Sequence, residues 1–344
     1  MSDASATSPG PTDAGARSLY HAAGGATRTN LPADELERLV AKAVAGTAEG
    51  ELWLDVDVDT TGGRETLSRL GAFHALALED ASTPNSRAKA EEYPGYLFMI
   101  LRGLRLVDET PNPYDVEGFN ISFFLARGAV VTARHGASPA LQEVWDRVTK
   151  SPDLLARGSD RLLHAIMDAT VDAFFPLLDR IDDFVDDLEQ QVIAHFDTSA
   201  LHEIFAVKRI VLTLKRHLGP EREVFNVLTN RPSALLSPES QLYFRDVYDH
   251  VLRLNDSVDT YRELLSSVLD SYLTQVSNRL GRITKGLSVV ATMSIPFVVI
   301  SGMWGMNVRR IPFADHPNAF WWMLALQVGL GLILLVVLRL RKLL

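Results

Sequence analysis

The chain contains no cysteine, so neither a disulfide framework nor a thiolate metal site can form. No apolar run follows the N-terminus, and a cleaved signal peptide is not expected. No Gly-x-x-x-x-Gly-Lys-Ser/Thr loop is present to cradle nucleotide phosphates, and no nucleophile lies in a base-bearing motif, so neither ATP nor enzymatic turnover is expected. Positive charge is also short. Lys and Arg total 34 against 43 Asp and Glu, a net charge of -9, which argues against nucleic acid as a partner and suits a protein that handles cations. Two local absences matter more. No ionisable residue lies between Gly286 and Val308, and Pro296 is the single proline between Pro238 and Trp304.

What fills the gap left by those charges is a pair of membrane spans. The runs 286–304 and about 319–338 are each close to the roughly 20 residues needed to cross a bilayer core. Arg279, Arg282 and Lys285 precede the first, and Arg339, Arg341 and Lys342 follow the second. Both flanks are basic, which predicts cytoplasmic termini. The outward-facing turn also carries Arg309 and Arg310, which weakens the asymmetry without reversing it. With 344 residues and 47% hydrophobic content, most of the chain reads as soluble and cytoplasmic.

The soluble part divides by pattern. Residues 1–32, rich in Ser, Ala, Thr, Gly and Pro, read as a disordered tail. Residues 33–158 read as an α/β domain, with helices over Pro32–Ala45 and Glu65–Leu76 and strands over Leu52–Val58, Tyr96–Arg102, Phe119–Leu125 and Ala129–Ala133. The last two are joined across Arg127-Gly128 as a hairpin. Residues 159–232 read as a long helical hairpin, Leu162 to about Ala194 and Leu201 to about Leu228. The first arm bears an acidic face of Asp179, Asp182, Asp183, Asp186, Asp187 and Glu189, read as a solvated face. Residues 233–285 form a stalk helix started by Ser237-Pro238-Glu239, and 286–344 the membrane domain. Unbroken to Trp304, the stalk and first span make one helix of about 65 residues, nearly 100 Å long.

One stripe of that helix carries Asp270, Ser277, Gly281, Thr284, Ser288, Ala291, Ile295 and Val298. Small residues on one face serve helix packing. A stripe that continues down to a carboxylate also suits the wall of a pore. Two spans cannot enclose a pore, so this second reading requires several copies of the chain. His202-Glu203 lacks the second histidine of a zincin, because position 206 is Ala206; a His195 and His202 pair is a weak zinc candidate, and His316 in the outer loop a slightly better one.

Gly305-Met306-Asn307 ends the first span, a short loop and second span follow, and the C-terminus is basic. This arrangement resembles the CorA-type divalent metal cation (magnesium and cobalt) transporter family. Leu78-Glu79-Asp80, Arg87-Ala-Lys-Ala-Glu-Glu-Tyr93, Tyr96-Leu-Phe98, Tyr243-Phe-Arg-Asp-Val-Tyr-Asp-His250 and Ser277-Asn278 extend the likeness from about residue 35 to the end. The resemblance implies a homopentameric, funnel-shaped channel of the inner membrane, each subunit giving an α/β cytoplasmic domain, a long-helix stalk and two C-terminal transmembrane helices. It implies a selectivity filter at Gly305, Met306 and Asn307, a carboxylate ring at Asp270, and hydrophobic constrictions at Leu287 and Ile295. Asp80 and Asp246 are implied to hold a regulatory cation across a subunit interface. No cofactor is implied beyond the transported and regulatory divalent cation, Mg²⁺ first, with Co²⁺, Ni²⁺ or Zn²⁺ as alternatives. The expected partners are other copies of the chain, the lipid bilayer and divalent cations.

Two departures bear on the cargo. Gly281 stands where the family commonly has an amide side chain. The loop Val308-Arg-Arg-Ile-Pro-Phe-Ala-Asp-His316 is similar to that of the ZntB-type zinc branch, which keeps open a zinc transporter with proton coupling. A membrane-tethered cation sensor that does not conduct is the further alternative.

Overall fold

The computed structural model describes residues 15–106, 116–194, 199–306 and 316–341. The chain divides into two compact units. One holds the residues up to Gln190 together with Thr198–Ser267, the other Gln191–Asp197 together with Val268–Leu344.

The first unit is built on a seven-stranded sheet in the order β2-β1-β3-β7-β6-β5-β4. The strands are β1 (Ala16–Ala22), β2 (Thr27–Thr29), β3 (Gly50–Asp57), β4 (Lys89–Tyr93), β5 (Tyr96–Leu106), β6 (Val116–Ala126) and β7 (Ala129–Arg134). β3 and β7 pair parallel, with Trp53 opposite Val130, and the other pairings are antiparallel. Strands β3, β6 and β7 read as near-continuous apolar runs because helices cover both faces, as buried central strands require. On one face lie α1 (Ala33–Val44), α2 (Thr61–Arg69) and α3 (Ala75–Ser82); Leu36, Val40, Leu67 and Phe73 there meet Leu54, Phe98, Phe124 and Val131 of the sheet. On the other, Trp53 tilts against Trp145 of α4 (Pro139–Lys150), ring centroids 5.0 Å apart. Its indole N–H donates to Thr132 Oγ1 at 3.2 Å, which satisfies the buried polar end.

Three expectations need correction. The tail predicted over 1–32 contains β1 and β2. Leu19 is buried, and β1 pairs with β3 from Ala16–Val56 to Ala22–Gly50. Arg17 closes the strand down, donating to Asp55 at 2.9 Å while stacking 4.2 Å over Trp145. Main-chain pairing and one part-buried ion pair hold this segment, and neither depends on the apolar content by which a tail is judged. The helix predicted over Glu65–Leu76 is two helices, α2 and α3. The helix predicted from Leu162 to Ala194 is also two: α6 (Ser159–Asp172) and α7 (Phe175–Ala194). The chain between includes buried Phe174 and leads into Pro176. Proline has no N–H to give the carbonyl one turn back, so it ends one helix and fits the first turn of the next.

A short helix, α5 (Asp153–Ala156), precedes α6; α8 spans Ser199–Asn230 with Pro220 inside it, and α9 spans Pro238–Gly305. At 68 residues α9 is about 100 Å long. Its first thirty residues belong to the first unit, where Phe244, Val247, Val251 and Leu254 are fully buried. The rest belongs to the second unit, with α10 (Ala319–Leu340). Both α9 and α10 are long and apolar enough to cross a membrane.

Within the second unit the hairpin has a readable register. Gln327 of α10 donates to Ser301 of α9 at 2.7 Å. One turn further along each helix, Gly331 lies so close to Phe297 that a Cβ there would sit 2.8 Å from the ring. Four residues down one helix match four residues up the other, so the pair is antiparallel.

Candidate functional site

The stripe read from the sequence lies along α9. Asp270, Ser277, Gly281, Thr284, Leu287, Ser288, Ala291, Ile295 and Val298 are all exposed. Leu287 is 70% exposed, Ile295 60% and Val298 69%. The face of α9 toward α10 is marked by Phe297 and Ser301. At about 100° per residue, the stripe from Asp270 to Val298 lies roughly 100–200° around the helix from Phe297. The stripe therefore faces away from α10. Gly305 ends α9 and Met306 follows it, exposed. Asn307, Arg309 and Arg310 lie outside the described residues. His316 caps the approach to α10: its Nδ1 accepts from the backbone N–H of Asn318 at 3.1 Å and its carbonyl from that of Ala319 at 2.9 Å.

The two carboxylates expected to hold a regulatory cation occupy different surroundings. Asp80 sits on α3 and accepts a 2.7 Å bond from Lys89 Nζ, which also pairs with Glu91 at 2.9 Å. These partners offset the desolvation of Lys89 and raise its pKa above the ordinary lysine value. Asp246 sits on α9 and is 71% exposed, with one oxygen 3.9 Å from His250 Nε2. Among the described residues the two carboxylates share no partner.

Beside Asp246 lies a group that sequence reasoning missed. Asp168 and Asp172 on α6 and His250 on α9 each offer a ligand atom, and these atoms lie within 4.8 Å of one another. His250 Nδ1 is 3.2 Å from an Asp172 oxygen, and Phe175 presents its ring to the imidazole at near right angles, 5.7 Å between centroids. Burial pushes the Asp168 carboxyl above its ordinary pKa, and the Asp172 charge adds to the push. Two carboxylates one turn apart, faced by an imidazole, repel unless a proton or cation joins them. An N/O donor set of this kind suits Zn²⁺, Co²⁺ or Ni²⁺ as well as harder ions. The available signal was a pair of one-turn spacings, Asp168 to Asp172 and Asp246 to His250.

The other candidates recede. Asp179, Asp182, Asp183, Asp186, Asp187 and Glu189 on α7 are exposed, and so is His202 on α8, while His195 lies outside the described residues.

Comparison with known proteins bears on this arrangement as a whole. A family model described as CorA-like Mg²⁺ transporter protein matches residues 48–341. The cobalt/magnesium transport protein CorA of Thermotoga maritima is 30% identical over 291 residues, covering 83% of this chain and 82% of the relative. The complete structure of the CorA magnesium transporter from Methanocaldococcus jannaschii superposes with a TM-score of 0.79, at 18% identity over 94% of this chain and 97% of that one. The ZntB cytoplasmic domain from Vibrio parahaemolyticus superposes with a TM-score of 0.57, at 17% identity over 66% of this chain and 88% of that one. At these identities the two structures speak for the fold alone, and the ZntB domain says nothing of the loop that prompted that comparison. On the family model and the Thermotoga relative together, this chain belongs to the CorA-like Mg²⁺ transporter family, whose members are divalent-cation transporters of the inner membrane and not enzymes.

Proposed function

We propose that five copies of this chain assemble around a shared axis, with the α9 stripe lining a pore that passes Mg²⁺, and Co²⁺ or Ni²⁺ less readily, into the cytoplasm. One observation carries the reading: an exposed stripe running from Asp270 to Val298 on a single helix that ends at Gly305, with Met306 following. The printed description of the Thermotoga relative, cobalt/magnesium transport, supports the choice of cargo.

The chemistry follows from the ion. Mg²⁺ surrenders its waters reluctantly, so a fast pore should hold the hydrated ion by outer-shell hydrogen bonds. Amide oxygens of Asn307 suit that task better than a ring of carboxylates, which would bind too tightly to release the ion. Asp270 then collects cations at the inner mouth. Leu287 and Ile295 narrow the passage and close it by dewetting. The membrane potential drives entry: at about 2.3 kcal/mol per charge per 100 mV, a dication gains roughly 4.6 kcal/mol.

Regulation rests on the acidic groups of the first unit. A cytoplasmic cation bridging Asp80 of one subunit and Asp246 of the next would hold the subunits together. Its loss leaves carboxylates that repel, and the pore opens. Asp168, Asp172 and His250 lie beside Asp246 and extend the donor set available to such an ion.

A zinc-transporting variant, coupled to protons, is the second reading. It is favoured by the loop after Asn307 and by the imidazole of His250. Flux of Mg²⁺ and of Zn²⁺ into proteoliposomes, with and without a proton gradient, separates the two. Asn307→Ala should abolish most Mg²⁺ flux; unchanged flux and selectivity in that variant would overturn the pore assignment.

A further inference from the structure

We infer that the cytoplasmic end of the helical hairpin carries a binding belt for anionic phospholipid headgroups, formed by Arg282 and Lys285 of α9 with Arg339 and Arg341 of α10. The inference rests on the hairpin's register and on charge. It does not depend on which ion, if any, the chain conducts.

The register brings the four cations together. The Ser301–Gln327 bond and the Phe297–Gly331 contact share one antiparallel alignment. Continued down the helices, it sets Arg339 level with Val289 and Arg341 level with Leu287. Leu338, buried among residues otherwise exposed, faces α9 as this alignment requires. At 1.5 Å per residue, Lys285 lies about 3 Å and Arg282 about 7.5 Å beyond the level of Arg341. The belt is therefore about 10 Å deep and begins where the apolar run ends. A headgroup layer is roughly 5–7 Å thick on each side of a 30 Å core. Flexible Lys and Arg side chains cover the difference.

Orientation places Arg282 off the pore stripe. At about 100° per residue, Arg282 lies roughly 60° from Phe297 in the sense opposite to the stripe, about 120–160° around α9 from Ser288 and Thr284, while Lys285, roughly 120° in that same sense, borders the stripe beside Gly281. All four cations are exposed. No Asp or Glu occurs from Ser271 to Gly305 or from Ala319 to Arg341. Exposed Leu280, Ile283 and Val290 alternate with the cations on α9 and offer acyl chains a surface beside the phosphate. Three of the four cations are arginines, whose planar fork takes a phosphate through two parallel bonds. An acidic peptide would match the charge but not the apolar surface at the hydrocarbon boundary, and the belt commits to lipid.

The test uses the full-length protein in nanodiscs of phosphatidylcholine and phosphatidylglycerol, with protein-associated lipid counted by mass spectrometry. The wild-type chain is expected to enrich phosphatidylglycerol, less so at high salt. A juxtamembrane cation contributes about 1 kcal/mol toward an anionic leaflet, so Arg282→Gln should weaken enrichment about fivefold, and Arg282→Gln with Arg339→Gln further. Arg282→Lys should keep most of it, and Arg253→Gln, an exposed arginine of α9 in the first unit, should change nothing. Far-UV circular dichroism and oligomer mass confirm folding, and if the double variant fails to fold, the Lys and Gln variants of Arg282 still decide the matter. Absence of enrichment in the wild type, equal enrichment in Arg282→Gln, or equal loss in Arg253→Gln would overturn the belt. So would a change of oligomer mass in Arg282→Gln with lipid enrichment intact, because another copy of the chain would then be the occupant.

Discussion

Replacing Lys89 by methionine probes the balance at the proposed regulatory site. Asp80 is already paired within its own chain, at 2.7 Å from the Lys89 ammonium. A cytoplasmic cation that recruits Asp80 must displace or share it with that internal counter-ion. Both side chains are about one-third exposed, 32% and 35%, so solvent screens the pair and its worth is no more than about 1 kcal/mol. Removing the ammonium therefore frees at most about 1 kcal/mol of binding, which is close to fivefold in apparent affinity. It also releases Glu91, a second carboxylate that Lys89 holds at 2.9 Å. Methionine keeps the chain length and apolar stem, so the surrounding sheet edge should be little disturbed. The assay is inhibition of flux by cation trapped inside proteoliposomes. Lys89→Met should be inhibited at two- to fivefold lower internal Mg²⁺ than the wild type. Lys89→Arg should behave as wild type. An unchanged or raised inhibitory concentration in Lys89→Met would show that Asp80 takes no part in sensing.

Three further outcomes follow from other parts of the molecule. His250→Gln removes the imidazole from the Asp168, Asp172 and His250 group; inhibition by internal Zn²⁺ or Co²⁺ should weaken at least several-fold while inhibition by Mg²⁺ changes little, because nitrogen donors favour the transition metals. Glu221 is fully buried, accepts the backbone N–H of Arg102 at 2.8 Å, and burial pushes its pKa up to about 8. A folded-state pKa raised above the unfolded one means stability that is complete below the ordinary carboxylate range and lost as pH rises toward 8. Thermal melts of Glu221→Gln should lose that decline. His217, driven down to about 4 by burial and Arg102, should still bring its own loss of stability on the acid side, below its ordinary 6.5. Gly331→Val drives methyl groups into the Phe297 ring, where even a Cβ would sit at 2.8 Å. A loss of about 1–3 kcal/mol in detergent melts is expected, and Phe297→Ala in the same chain should restore part of it.

The long helix was the most legible element. Its start is written in Ser237-Pro238-Glu239, and nothing between there and Gly305 but Pro296 opposes a helix, so the 68-residue span follows from local chemistry alone. The strands β3, β5, β6 and β7 were legible for the same reason. β1 was not, because its stability comes from pairing with β3 and from the Arg17–Asp55 bond, both long-range. The split at Pro176 is written in the proline itself, but acidic and apolar residues keep their helical spacing across it, so periodicity alone runs the two helices together. Asp270 and the stripe above it could be read from spacing. Asp80 and Asp246 could be named only through likeness to a family, since lone surface carboxylates carry no pattern. The Asp168, Asp172 and His250 group shows the limit of sequence reading. Each one-turn spacing is visible, but the approach of α6 to α9, which sets His164 against Phe244 and His250 against Asp172, is a long-range packing that no local spacing encodes.

The division of α9 between two units has a consequence for biosynthesis. Phe244, Val247, Val251 and Leu254 complete the core of the first unit, yet the apolar run begins at Gly286, only a few turns after that unit ends at Ser267. The residues that close the cytoplasmic core and the signal for membrane insertion therefore leave the ribosome in close succession. A truncation meant to release the large unit as a soluble fragment should end beyond Ser267 and before Gly286, and one that stops ahead of Pro238 should leave a nascent core open to aggregation.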